Sequence, residues 1–178
     1  MAPALPRVLA QGVTRSTNTL SRILGASTAA APNPEVTLLY EDFSTGLSAK
    51  KLFDRLLNGG PREATYRLSM WKFNLLRVRP LLTQAAQDAA AAGILCVAAH
   101  ADGDLPTEVS ELVAEALRQR QPGPTALVVL LETAQSDATA ELPTMEAFRK
   151  VAAQTGAEFF FHCLEPRPDQ YETTGRRH

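Results

Sequence analysis

From Glu35 onward the apolar positions switch repeatedly between two periods, one suited to strands and one to helices. Val36-Thr37-Leu38-Leu39-Tyr40 is a short apolar, β-rich run and predicts a first strand. Leu47, Leu52, Phe53, Leu56 and Leu57 then recur at helical spacing, with Ser44 placed to cap the helix and Asn58-Gly59-Gly60 to stop it. Tyr66, Leu68 and Met70 alternate with Thr65, Arg67 and Ser69, as expected of an edge strand with one wet face. A connector over 71–79 follows, and Pro80 opens a helix whose inner positions are Leu81, Leu82, Ala85, Ala86, Ala89 and Ala92. Residues 94–99 and 126–131 are apolar throughout, the pattern of parallel strands buried on both faces. Between them Pro106 opens a helix carrying Val109, Leu112, Val113, Ala116 and Leu117 on one stripe. Pro143 opens a fourth helix with Met145, Phe148, Val151 and Ala152, and Gly156 closes it. Residues 157–164, with Phe159-Phe160-Phe161, form the fifth strand.

This β-α-β-α-β-α-β-α-β series predicts an α/β fold of three layers, flavodoxin-like, with a five-stranded parallel sheet in the order 2-1-3-4-5. The last helix of that architecture is lacking, since the residues after Glu165 hold Pro166 and Pro168 and no helical pattern. Part of an apolar sheet face would then need a cover, from the chain itself or from a second copy.

Composition divides the chain. Of 178 residues, the first 34 hold Arg7, Arg15 and Arg22 and no acid, so they carry +3 and the remainder −4 of an overall −1. Near-neutrality is thus a cancellation, and a nucleic-acid clamp is disfavoured for the body of the chain. Three regions are expected: a flexible or amphipathic N-terminal segment over 1–34, the α/β domain over 35–166 and a polar tail over 167–178. Within the first, Leu5, Leu9, Val13, Leu20, Ile23 and Leu24 share a helical arc opposite the arginines. Such a segment fits an organellar presequence in a eukaryotic source, a docking helix, a membrane-surface helix or a disordered tail. No apolar run approaches the roughly 20 residues needed to span a bilayer. Cys96 and Cys163 lie in apolar runs and read as reduced core thiols of a cytoplasmic protein.

Candidate chemistry gathers beyond the carboxyl ends of the strands, where open α/β sheets bind ligands. Tyr40-Glu41-Asp42 and His100-Ala101-Asp102-Gly103-Asp104 would meet there. Clustered acids repel, and Glu41, Asp42 and Asp102 are the candidate ligands of a cation such as Mg²⁺. The alternative reading makes Asp42 and Asp104 loop and capping residues, with His100 merely ending a strand. Trp71 and Phe73 read as a surface anchor or as a core plug at the sheet edge. His162 and Cys163, neighbours in one strand, point to opposite faces and do not form a catalytic pair.

These residues resemble the pattern of response-regulator receiver domains over about residues 35–166. Glu41-Asp42 stands where receivers carry an acidic pair, Asp102 near their phosphoacceptor, and Thr133-Ala134 at their Ser/Thr-Ala. Leu164-Glu165-Pro166 replaces their Lys-Pro. The resemblance implies a degenerate receiver: a non-catalytic regulatory module with a protein partner or self-association. A second stretch, Ser44-Thr45-Gly46-Leu47-Ser48, is similar to the phosphate loop of flavodoxins. It makes Ser44, Thr45, Gly46, Ser48 and Thr133 candidate ligand-binding residues for a phosphorylated small molecule. FMN itself is disfavoured, because Glu41 and Asp42 oppose a phosphate and the loops at 100–105 and 133–142 hold no aromatic. A Mg²⁺-dependent hydrolase is the remaining alternative. Neither GxGxxG nor a Walker loop is present.

Overall fold

The computed structural model describes residues 35–58, 66–120, 125–133 and 143–164. The segment 1–34 and the tail 167–178 lie outside the described residues. Five parallel strands form one sheet: β1 (Glu35–Tyr40), β2 (Arg67–Lys72), β3 (Ile94–His100), β4 (Ala126–Glu132) and β5 (Glu158–Leu164), in the order 2-1-3-4-5. Four α-helices connect them: α1 (Phe43–Asn58), α2 (Arg79–Ala91), α3 (Thr107–Gln119) and α4 (Pro143–Thr155). Among the described residues no helix follows β5, so the fold is flavodoxin-like without its last helix.

The sheet separates two apolar layers by strand parity. Leu39, Leu95, Val97, Leu127 and Val129 face α2, α3 and α4. Val36, Leu38, Ile94, Cys96 and Leu130 face the other way, where Ala49, Leu52 and Phe53 of α1 meet them. β3 and β4 are buried along both faces, which is why their sequences carry no alternation. The alanines Ala85 and Ala89 of α2, both buried, let that helix lie close to the sheet.

β2 runs two residues further than its alternation suggests, taking in Trp71 and Lys72, and a short 3-10 turn over Phe73–Arg77 follows. Trp71 packs on the three-helix side, and its Nε1–H donates to Asp88 Oδ2 of α2 at 3.0 Å. With Phe73 buried beside it, the pair is a core plug rather than a surface anchor. On the opposite face Tyr66 donates its hydroxyl to Asp54 Oδ1 at 2.6 Å, tying the start of β2 to α1. Burial and that carboxylate both push the Tyr66 phenol well above its ordinary range. α4 ends at Gly156, whose φ of +72° only glycine adopts without strain. The Ala157 amide then reaches back to the Ala152 carbonyl at 3.0 Å, the long bond of a Schellman closure. Both cysteines are free, and burial raises the Cys96 thiol far above its ordinary value. No described helix is long and apolar enough to cross a membrane.

Candidate functional site

The chemistry-bearing side chains lie at the carboxyl ends of β1, β3 and β4, on the α1 side of the sheet. The β3–β4 register pairs His100 with Glu132. Ala98 and Leu130, two residues earlier in each strand, face α1, so His100 and Glu132 face α1 as well. Glu132 is 6% exposed, a carboxylate closing an otherwise apolar strand.

His100 stands between two acids. Its Nε2 is 2.7 Å from Asp42 Oδ2, and its Nδ1 is 3.9 Å from Glu132 Oε1. Glu132 also accepts from the Ser44 hydroxyl at 3.4 Å. The backbone N–H of His100 donates to Glu41 Oε2 at 2.8 Å. Glu41 leans on the turn at Gly103, where a Cβ would come within 3.2 Å of Glu41 Oε1. One imidazole thus joins the β1–α1 turn to the end of β4, while its backbone binds the neighbouring carboxylate.

The charges follow from this geometry. Partial burial opposes a charged His100 ring, but the Asp42 hydrogen bond and the nearby charges of Asp42, Glu41 and Glu132 outweigh it, and the pKa is raised. Asp42 is also partly desolvated. The Thr45 amide, the His100 ring and the Thr45 hydroxyl together overcome that and lower its pKa. Both shifts favour the imidazolium–carboxylate form of the pair.

Asp42, not Ser44, caps α1. Asp42 Oδ1 accepts from the Thr45 backbone N–H at 2.9 Å, and Thr45 Oγ1 accepts from the Asp42 N–H at 3.1 Å. This reciprocal pairing starts the helix at Phe43. Ser44 falls inside the first turn and points to Glu132 instead.

The cap also decides what the candidate ligand residues can do. Ser44, Thr45, Gly46 and Ser48 lie within α1, not in a loop ahead of it. Ser44 and Thr45 are buried. A Cβ on Gly46 would come within 2.7 Å of the Tyr40 ring, so this glycine makes room for an aromatic side chain. Thr133 follows β4, and its N–H donates to the Leu164 carbonyl at 3.2 Å. Of the candidate cation ligands, Glu41 and Asp42 meet around His100, whereas Asp102 is exposed in the turn after β3. Among the described residues no group of three or more His, Cys, Asp or Glu side chains is arranged to hold a metal ion. His162 and Cys163 do fall on opposite faces by strand parity, and burial lowers the His162 pKa.

Glu132 is the member of this cluster that hydropathy alone does not reveal. Its signal was available: it keeps the parity of Val128 and Leu130, and the 2-1-3-4-5 order sets it beside His100.

The other face of the same strand ends holds a cavity of about 320 Å³. Val97, Ala99, Val129 and Leu131 line it from the sheet, and Phe148 from α4. The turn from Ala101 to Leu105 forms its rim.

Comparison with protein-family models, with curated proteins and with solved structures returns no match.

Proposed function

We propose that this protein is a non-catalytic regulatory or protein-interaction module, a receiver-like domain whose acidic crevice has been closed. The observation that carries this reading is the placement of His100. Its ring engages Asp42 and approaches Glu132, and its backbone engages Glu41. The carboxylates that could gather a divalent ion are held by the His100 ring and by amides of the same chain. The turn residue Asp102 stands apart in solvent. The α1 N-terminus is likewise occupied by its own Asp42 side chain, which disfavours a phosphate cradle there.

An interaction role has a place to act. Among the described residues the exposed large hydrophobics are Phe43, Met70, Leu75 and Val78, so most belong to the edge strand β2 and the turn after it. The stretch 66–87 contains Arg67, Lys72, Arg77 and Arg79 and no acid. An apolar surface flanked by cations suits a protein partner with an acidic rim, or a second copy offering its −4 body. The free thiols fit a cytoplasmic location.

The test is a melting curve and an intact mass with Mg²⁺, alone and with acetyl phosphate. Neither should change if the crevice is closed. A Mg²⁺-dependent rise in Tm that disappears in Asp42→Ala, or a covalent phosphoryl adduct, overturns the reading.

A further inference from the structure

We infer that the carboxyl-end rim of the sheet is the interface of a two-fold dimer, in which the basic, apolar corner at β1 and β2 of one copy meets the acidic turn before α3 of the other. The inference rests on the interaction-module reading and commits its partner to a second copy of this chain. At the corner, the β1–β2 register pairs Tyr40 with Lys72. The exposed large hydrophobics of the described residues, Phe43, Met70, Leu75 and Val78, all lie within a few residues of that paired strand end. The Val78 amide donates to the Leu75 carbonyl at 3.1 Å, which keeps those two side by side. Lys72, Arg77 and Arg79 stand among them, the two arginines exposed. Among the described residues none of the three cations forms an ion pair.

The complementary surface is on the same rim. Residues 80–117 contain no lysine or arginine, and four of their acids, Asp102, Asp104, Glu108 and Glu111, follow β3 closely. These four form no ion pair among the described residues either. Between them Ala101, Leu105 and Pro106 are partly exposed and supply apolar surface. The two patches are neighbours, because the 3-10 turn over Phe73–Arg77 packs against α3. A two-fold axis between adjacent patches of opposite character sets each against the other twice, as an isologous interface requires. One operation thus covers the exposed apolar groups and pairs both sets of charges. A foreign acidic partner accounts for the corner alone and leaves the acidic turn unmatched.

The experiment is sedimentation of the full chain and two charge-reversed variants, each altering only exposed side chains. One is Arg77→Glu/Arg79→Glu; the other is Asp102→Lys/Asp104→Lys/Glu111→Lys. The native chain should dimerise at low salt, with affinity falling about threefold to tenfold at high salt as screening grows. Each variant alone sets like charges together and should dimerise at least about tenfold more weakly. An equimolar mixture of the two should recover the native affinity as a heterodimer, because each then offers what the other lacks. A monomeric native chain overturns the proposal, as does a dimer that survives either reversal, or a mixture that fails to recover. Those outcomes leave the closed crevice standing, since Mg²⁺ and acetyl phosphate read it separately. A phosphoryl adduct on a chain that still dimerises through this rim overturns the closed crevice instead.

Discussion

The same two strand ends build two opposite environments. On the α1 side, His100 and Glu132 close β3 and β4 with a polar cluster whose members are bonded to one another and to the α1 cap. On the other side, Ala99 and Leu131, one residue earlier in each strand, line an apolar cavity rimmed by exposed acids. A shift of one position moves a side chain from one environment to the other, because strand side chains alternate. The comparison teaches that charge at the carboxyl end does not by itself mark a site open to ligands. Where the acids are paired, they brace the fold. Where they are exposed in the turn after β3, they face solvent and brace nothing.

The largest expected effect lies on the apolar side. Phe148→Ala removes a buried ring from the cavity wall and should cost about 3–5 kcal/mol in urea unfolding. On the polar side, His100→Leu leaves Glu132 buried with the long Ser44 hydrogen bond and strips Asp42 of its cation. A loss of about 2 kcal/mol is expected, with Tm falling accordingly. A double-mutant cycle of Asp42→Asn and His100→Gln isolates their contact. Because the Asp42 side chain is 43% exposed, solvent screens the pair, and a coupling of about 1 kcal/mol is expected. A coupling near zero would place the bracing elsewhere.

The smallest effect is one of pH. The raised His100 pKa means its contribution is fully present below about pH 6.5 and fades as pH rises through the folded value. The lowered Asp42 pKa means its contribution is present above about pH 3.9 and is lost as pH falls through the folded value. The stability advantage of the native chain over His100→Gln should therefore be largest between about pH 4 and 6.5 and smaller at pH 8.5. Urea midpoints at pH 5.5 and 8.5 check this.

Much of the fold was legible because it depends on local pattern. The unbroken apolar runs at 94–99 and 126–131 could only be interior strands, and Gly156 ended α4 where its positive φ requires. The start of α1 was less legible. Ser44 and Asp42 are both good caps, and the choice depended on where β1 ended. Because β1 ends at Tyr40, the chain turns at Glu41-Asp42, and Asp42, three residues before Thr45, makes the reciprocal pairing. The site was legible only in part. Glu41, Asp42 and His100 were recognisable as converging acids and a histidine, but their mutual bonding depends on side-chain reach across a register, not on spacing in the chain. Glu132 escapes a hydropathy pattern because the apolar run stops at Leu131, whereas parity and strand order carry the strand one residue further.

The central claim is that the His100 ring closes the acidic crevice by bonding to Asp42, and an NMR titration of the ring nitrogens reads it directly. The resonances of His100, His162 and His178 are assigned from single Gln variants. The His100 ring should titrate above its ordinary value of about 6.5 and fall back toward it in Asp42→Asn. A His100 ring that titrates at or below that value, unmoved by Asp42→Asn, would contradict the account.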